Sequence, residues 1–342
     1  MRQLRCAVIG CGRIGCGFDD PPNDKTVKTH AGSYFTNPKT KLVALCDIDQ
    51  YKLQKYGKKY NVTSLYTKSS EMFRKEHLEC VSICTLVDTH LNLVKEAANH
   101  GVKGIFLEKP MSDTLQNARK IIQICKNHKI MLAIDHKRRF DPFYHSIKNF
   151  IKQKKLGNIQ LVNVYYGSGI SNTGSHVFDI LRLFFGEVYS IRGSFSKNKS
   201  ASKLDPNIDA ILEFRNGITC RLQALDVRYY GMLEMDIFGT SGRLRFNLET
   251  NKIEYFKILQ KNFLVYKNLM PSRIMVKRSN KSGVKLGVQN LASCLFSKKE
   301  PMCTGEDGYK SLELIIASIR SSEQGAKIRL PLISSNYKIT SK

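Results

Sequence analysis

A doubly wound parallel α/β sheet, followed by a second α/β domain built on a large, open and mostly antiparallel sheet, is the fold this sequence predicts. Three observations carry the prediction. Short apolar runs alternate with amphipathic helical segments through the first 136 residues. The first of those runs ends in a glycine-rich turn, Gly10-Cys-Gly-Arg-Ile-Gly15. Beyond them the chain is dominated by strand-like segments, many with period-two alternation. At 342 residues the chain is long enough for two ordinary cores, and the boundary is placed between 1–136 and 137–335.

The first strand begins at Leu4 and runs into Gly10. Gly10 permits a tight turn after the strand, Gly12 lets the main chain come close to a ligand, and Gly15 lets the following helix pack on the sheet. Such a turn is built to hold a dinucleotide pyrophosphate on backbone N–H groups, with Arg13 and Ile14 completing it. The second run, Lys41-Leu-Val-Ala-Leu-Cys-Asp47, reads as a buried parallel strand ending in an acid. Asp47 stands where a carboxylate accepts hydrogen bonds from the adenosine ribose and repels a 2′-phosphate, which favours NAD over NADP. Arg13 and the many lysines keep NADP open.

Asp47 follows Gly10 by 37 positions, well beyond the ~20 of the ordinary fingerprint. The excess falls in Cys16 to Thr29, where Gly17, Asp19, Asp20, Pro21, Pro22 and Asp24 suit an inserted loop rather than a helix. The α/β rhythm then continues. Val62 to Tyr66 is extended, Ser69 to Lys75 helical, and Cys80 to Leu86 a third strong strand. Thr89 to Asn99 is helical and stopped by Gly101; Gly104 to Glu108 is a strand, Thr114 to Asn127 an amphipathic helix, and Ile130 to Ile134 closes the set. Ligands of such a sheet bind at the carboxyl ends of its strands, where Thr85, Asp88, His90, Glu108 and Lys109 fall.

In the second half, strands are expected at Ile159–Tyr166, Val188–Ser196, Ile208–Phe214, Ile218–Leu225, Leu233–Phe238 and Leu244–Asn247. Asn216-Gly217 is a strong hairpin signal between Phe214 and Ile218, so these strands meander. Helices should cover one face of this sheet, and apolar residues on the other would pack against a second subunit, giving a homodimer or homotetramer. Ser171 to Phe185 reads as a buried helix carrying Asn172, His176, Asp179 and Leu183 on one face. Gly305 to Ser322 is a second, with a packing stripe of Leu312, Ile315, Ile316 and Ile319.

Net charge is +26. The lysines are scattered, with only short clusters such as Lys152-Gln-Lys-Lys155 and Lys277-Arg278, without a nucleic-acid motif, so neither DNA nor RNA is the expected partner. The positive field suits anionic small ligands. No apolar stretch approaches a membrane span, and a strand starting at Leu4 leaves no room for a signal peptide, so a cytoplasmic location is expected. The ten cysteines form no C-x-x-C pair and read as reduced packing residues rather than a metal site.

Taken together, Gly10-Cys-Gly-Arg-Ile-Gly15, Cys46-Asp-Ile-Asp49, Thr85 with His90, Glu108-Lys-Pro110, Arg138-Arg-Phe-Asp-Pro142, Gly174-Ser-His176 followed by Asp179, and Phe238-Gly-Thr-Ser-Gly242 resemble the Gfo/Idh/MocA oxidoreductases over nearly the whole chain. The resemblance implies an N-terminal Rossmann domain, a C-terminal α/β domain, a nicotinamide cofactor, and Lys109 and His176 projecting at the substrate. Lysine at a strand end beside a nicotinamide is partly desolvated, which lowers its pKa toward neutrality. Pro110 extends the chain and is placed for a cis bond that aims Lys109.

The activity implied is hydride transfer between NAD and a secondary alcohol or ketone of a sugar, cyclitol or nucleotide sugar, with Lys109 or His176 moving the hydroxyl proton. Asn172 departs from the family pattern, which places Asp there; an amide orients His176 but cannot stabilise an imidazolium by charge, so Lys109 becomes the principal proton carrier. Arg138 and Tyr166 are further substrate-binding candidates. Two alternatives stay open: an NAD-dependent glycosidase, and a regulator that binds dinucleotide or sugar without turnover.

Overall fold

The computed structural model describes residues 2–20, 26–258, 267–333 and 337–340. Two compact units emerge: residues 1–141, 279–310 and 336–342 form one, and residues 142–278 and 311–335 the other.

The first unit is built on six strands, β1 (Leu4–Ile9), β2 (Thr40–Cys46), β3 (Ser64–Tyr66), β4 (Cys80–Ile83), β5 (Gly104–Leu107) and β6 (Met131–Ile134). They pair in the order β3-β2-β1-β4-β5-β6, all parallel. The order reverses between β1 and β4, and the ligand crevice of such a sheet opens at that switch point. Central strands read as continuous apolar runs because both of their faces are covered: Val8, Val81, Ile83, Ile105, Phe106 and Leu107 are fully buried. Each buried side chain of this size contributes about 1.5–3 kcal/mol.

The crossover helices are α1 (His30–Phe35), α2 (Gln50–Tyr60), α3 (Ser69–Glu76), α4 (His90–Asn99) and α5 (Leu115–Asn127). Their starts follow capping chemistry: the side chains of Thr29, Asp49 and Thr114 accept from the backbone N–H of Gly32, Lys52 and Asn117. Among the described residues the inserted segment before α1 holds no α-helix. After a single 3-10 turn at Gly17–Asp19, Asp20 takes hydrogen bonds from Lys55, Lys59 and Tyr56 of α2 at 2.8–2.9 Å. Residues 21–25 of the expected loop lie outside the described residues.

The second unit carries a nine-stranded sheet of β7 (Ile159–Tyr166), β8 (Val188–Phe195), β9 (Ile208–Phe214), β10 (Thr219–Ala224), β11 (Glu234–Gly239), β12 (Gly242–Asn247), β13 (Ile253–Ile258), β14 (Leu269–Ser272) and β15 (Ile328–Arg329). Their order is β14-β13-β12-β11-β7-β10-β9-β8-β15, and every pair is antiparallel except β7 with β10. Strand β9 shows the alternation cleanly, with Ile208, Ala210, Leu212 and Phe214 buried and Ile211 turned outward. The hairpin between β9 and β10 uses three residues, not two: Gly217 N–H donates to Phe214 O, and Gly217 alone takes a positive φ of 85°. That is a type I turn closed by a left-handed glycine.

Helices α6 (Pro142–Lys152) and α7 (Ser175–Phe185) cover the inner face, where Phe143 and Phe184 both meet the edge of Phe246. The outer face is mixed: by strand register Leu161, Phe238 and Phe256 share it with Asp236, Arg243 and Arg245. Around a depression of about 410 Å³ it presents Arg192, Asp209, Arg221 and Gln223 with the single large apolar side chain Ile211. Two further helices are α8 (Gly283–Ser297) and α9 (Gly305–Gln324). Although α8 follows eight of the nine strands of the second sheet in sequence, it belongs to the first unit: its Gly287 lies against Phe106 and Phe140, where a Cβ would fall 2.5 Å from the Phe106 ring. The first compact unit thus takes in a segment, residues 279–310, that lies far beyond residue 136 in the chain.

Candidate active site

The glycine turn after β1 has the stereochemistry its sequence implies. Gly10 sits at φ +93°, and a Cβ there would lie 2.7 Å from the Cys84 carbonyl at the end of β4. A Cβ on Gly15 would come within 1.9 Å of Gly10 O. Around Gly12, in contrast, nothing stands within 4 Å of the Cβ position. Two of the glycines are thus demanded by the protein itself, whereas Gly12 borders open space at the switch point, where a pyrophosphate needs room and backbone donors. Arg13 and Ile14 continue the turn, and the Arg13 guanidinium lies 4.8 Å over the ring of Phe18.

Asp47, immediately after β2, is half-buried beside this turn. Its Oδ2 accepts from Cys11 N–H at 2.6 Å and its Oδ1 from Asp49 N–H at 2.9 Å. Both bonds fix the carboxylate and leave lone pairs for ribose hydroxyls. An adenosine 2′-phosphate would meet that negative charge. These residues fit a nicotinamide dinucleotide without a 2′-phosphate.

At the end of β4, Thr85 Oγ1 is 2.6 Å from Thr89 Oγ1. His90 is 1% exposed, and its ring nitrogens lie 3.3 Å from Met111 O and 3.2 Å from Thr85 O. Burial draws its pKa down, opposed by the two carbonyls. The neutral ring donates to one of these carbonyls and stands between the loop after β4 and the loop after β5.

Glu108 and Lys109 follow β5, and the Lys109–Pro110 peptide is cis. Glu108 is only 8% exposed. Its Oε2 accepts from Lys109 N–H at 3.1 Å, while Oε1 lies 3.0 Å from His30 Nε2. Asp135, at the end of β6, approaches the same His30 nitrogen at 3.3 Å. Burial pushes the Asp135 carboxyl up, helped by the Glu108 charge, to about 6. Burial also opposes ionisation of Glu108, yet His30 and then Lys109 outweigh it and hold Glu108 near 2. Neither His30 nor Asp135 was singled out in the sequence. The insertion moves His30 away from the glycine turn along the chain, and Asp135 looks like an ordinary acid after a strand.

In the second unit, Asn172 and His176 flank the start of α7. That helix begins at Ser175, not Ser171, because Gly169–Gly174 forms a π-helical turn. A loop acid holds the turn: Asp205 Oδ1 and Oδ2 accept from the N–H groups of Ser171 and Asn172 at 2.8 Å each. Asn207 Oδ1 takes Gly169 N–H at 2.9 Å. A Cβ on Gly169 would collide with Asp205 at 2.1 Å, and its φ is +88°. Asn172 is exposed and His176 half-buried, whereas Asp179 is fully buried. The signal for Asp205 in the sequence was Asp205-Pro-Asn207, a turn triplet with no chemistry of its own.

The expectation that Tyr166 binds substrate is corrected. It is fully buried on the inner face of β7, where its hydroxyl accepts from Ile208 N–H at 2.8 Å and donates to Ile208 O at 2.9 Å. Strand parity places Tyr165 outward and Tyr166 inward. Arg138 is buried at 8% exposure in the 3-10 turn Lys137–Phe140 of the first unit. Its neighbour Arg139 pairs with Asp307 at 3.1 Å. Among the described residues no helix is long and apolar enough to cross a membrane.

Comparison with known proteins agrees with this geometry. Residues 4–136 match the family model described as the oxidoreductase family, NAD-binding Rossmann fold, and residues 165–330 match its C-terminal alpha/beta domain. D-apiose dehydrogenase of Paraburkholderia graminis is 24% identical, over 93% of this chain and 88% of its own length. The scyllo-inositol 2-dehydrogenase (NAD(+)) of Bacillus subtilis is 24% identical over 96% of each. Among solved structures, the WlbA dehydrogenase of Bordetella pertussis, in complex with NADH and UDP-GlcNAcA, superposes with a TM-score of 0.78 at 22% identity, covering 97% of this chain and 100% of the other.

Proposed function

Because this chain belongs to the Gfo/Idh/MocA oxidoreductase family, with its NAD-binding Rossmann fold and C-terminal α/β domain, we propose that it oxidises or reduces one secondary alcohol centre of a sugar, cyclitol or nucleotide sugar, with NAD as preferred coenzyme. The observation that carries the reading is the pairing of open space at Gly12, where nothing lies within 4 Å of a Cβ, with a fixed carboxylate at Asp47. Relatives named for apiose and inositol, and a neighbour holding UDP-GlcNAcA, supply the substrate class.

Bound nicotinamide supplies the hydride acceptor or donor. The chain's own residues handle the proton. In this reading the Lys109 amine takes the proton of the substrate hydroxyl in oxidation and returns it in reduction, stabilising oxygen charge as it develops. His176 hydrogen-bonds the same hydroxyl. Asn172 orients the imidazole as a neutral partner, with no anionic support for an imidazolium, so the amine carries the larger share of the proton's work. The outer face of the nine-stranded sheet, where Ile211, Leu161, Phe238 and Phe256 stand among charged side chains, is the proposed site of self-association; light scattering coupled to gel filtration tests it.

The functional test follows NADH absorbance with NAD+ and a panel of myo-inositol, scyllo-inositol, D-apiose and UDP-GlcNAcA. Lys109→Ala and His176→Ala should each lose most turnover. A kcat within about threefold of wild type for either would remove that residue from the chemistry, since a proton-handling group contributes ~10²- to 10⁴-fold. An NAD-dependent glycosidase would instead consume a glycoside without net NADH, and a sensor would bind NADH yet exchange no hydride.

A further inference from the structure

Behind the residue proposed to move the proton lies a buried ionic cluster that the reaction itself does not call upon. His30, at the start of α1, is fully buried. Its Nε2 faces Glu108 Oε1 at 3.0 Å and Asp135 Oδ2 at 3.3 Å. Its Nδ1 lies 2.9 Å from Ser82 Oγ on β4, and Ser82 donates its hydrogen to Tyr34 Oη at 2.9 Å. The Tyr34 hydroxyl in turn meets Cys80 Sγ at 3.3 Å.

This pattern fixes the protons. Two carboxylate oxygens in front of Nε2 are acceptors, so that nitrogen carries hydrogen. Ser82 has spent its own hydrogen on Tyr34 and can only accept from Nδ1, so that nitrogen carries hydrogen as well. His30 is therefore an imidazolium. Burial pulls its pKa down, but Cys84, Asp135 and Glu108 together raise it well above the ordinary range. The Cys84 thiol, itself pushed up to about 11 by burial, stays neutral at physiological pH, which leaves the two carboxylates as the source of the effect. The Cys84 thiol also hydrogen-bonds the ring, and the Phe106 ring stands 5.0 Å from the imidazole.

A buried carboxylate is tolerated only when it is paired and hydrogen-bonded. Glu108 satisfies this by bridging two donors, the His30 ring and the main-chain N–H of Lys109. Its side chain is thereby tied down at one end by His30 and clasps the backbone of Lys109 at the other. Without the imidazolium, Glu108 and Asp135 would face each other as like charges in a dry site, and one would have to take up a proton. Glu108 would then lose its reason to stay folded onto Lys109.

We infer that His30 is a positioning residue of this enzyme: together with Asp135 it holds Glu108 against the backbone of Lys109 and so fixes the direction from which the Lys109 amine is presented. The inference rests on the reading of Lys109 given above. Three ligand-type side chains at this spacing could also be drawn as a metal site, since their ligand atoms lie within 4.8 Å of one another. The ion-pair reading is preferred because each separation is already an ordinary hydrogen-bond length and the ring's second nitrogen is satisfied through Ser82.

Two experiments on the full chain decide the matter. In the first, ring-nitrogen NMR of histidine-labelled protein, with the His30 signals assigned by their loss in His30→Gln, should show both nitrogens protonated through pH 8. In Asp135→Asn the same ring should titrate at least one pH unit lower. A wild-type ring titrating near 6.5, or one whose signals move on adding zinc and return with a chelator, overturns the inference. In the second, His30→Gln should reduce kcat by about ten- to a hundredfold, the range expected when a reacting group is misplaced, while the Kd for NADH stays within twofold. The assay uses NAD+ with myo-inositol or whichever polyol of the panel wild type oxidises. Should His30→Gln fail to fold, Asp135→Asn replaces it, with a smaller fall in kcat expected. A folded variant with wild-type kcat overturns the inference. Lys109→Ala is measured alongside: if that variant keeps full turnover, the Lys109 reading fails, whereas a dead Lys109→Ala beside an active His30→Gln sinks only the role given to His30.

Discussion

Replacing Gly12 and Gly15 by alanine, one at a time, separates what the fold needs from what the ligand needs. At Gly15 the new methyl would sit 1.9 Å from Gly10 O, far inside the ~3.5 Å of an ordinary contact. The turn must move, at a cost of about 1–3 kcal/mol in stability. At Gly12 nothing in the protein lies within 4 Å of the methyl, so Gly12→Ala should be neutral or stabilising by up to ~1 kcal/mol through the unfolded chain. Binding should respond in the opposite sense. If the pyrophosphate occupies that opening, the methyl displaces a phosphate oxygen from a backbone N–H, and losing one such charge-assisted bond costs about 1.5–3 kcal/mol. At 1.4 kcal/mol per factor of ten, NADH should bind about 10- to 150-fold more weakly to Gly12→Ala. Urea unfolding and NADH fluorescence titration on the two variants give both quantities. Wild-type NADH affinity in a fully stable Gly12→Ala would refute the placement of the pyrophosphate over this turn.

Further outcomes follow from the same geometry. Asp47→Ser should weaken NAD+ binding and narrow or reverse the preference over NADP+; titrations with each coenzyme check it, and an unchanged ratio contradicts the ribose role. Asp205→Ala leaves the N–H groups of Ser171 and Asn172 without their acceptor, which should cost about 2–4 kcal/mol in urea unfolding and lower kcat by loosening the Asn172 turn. The Asp135 carboxyl is raised to about 6 from an ordinary 3.8. A carboxyl raised on folding favours the native state below its unfolded pKa and loses that contribution as pH climbs through its folded one. Asp135→Asn should therefore gain stability relative to wild type between pH 4 and pH 8, by about 1–3 kcal/mol; a difference flat across that window would refute the assignment.

Much of the first unit was readable because parallel strands covered on both faces must be apolar runs, and capping residues such as Asp49 and Thr114 mark the helices between them. The glycine turn and Asp47 were equally visible, being demanded by local stereochemistry. Four features were hidden for physical reasons. His30 is displaced from the turn by the insertion, so its meeting with Glu108, 78 residues later, leaves no local trace. Helix α8 returns to the first unit after eight of the nine strands of the second sheet have been laid down, and sequence adjacency says nothing of that. Tyr166 and its neighbour Tyr165 differ only in strand parity, which a one-residue ambiguity inverts. The start of α7 was set early because i, i+4 spacing cannot distinguish an α-helix from the wider turn that Asp205 holds.

The account turns on where a dinucleotide lies, and a crystal structure of the chain with NADH measures that directly. It should show the pyrophosphate on the N–H groups around Gly12, the adenosine ribose hydroxyls on Asp47, and the nicotinamide beside the Lys109 amine with His176 facing the same ring. A dinucleotide bound with its ribose away from Asp47, or with its nicotinamide remote from Lys109, would contradict it.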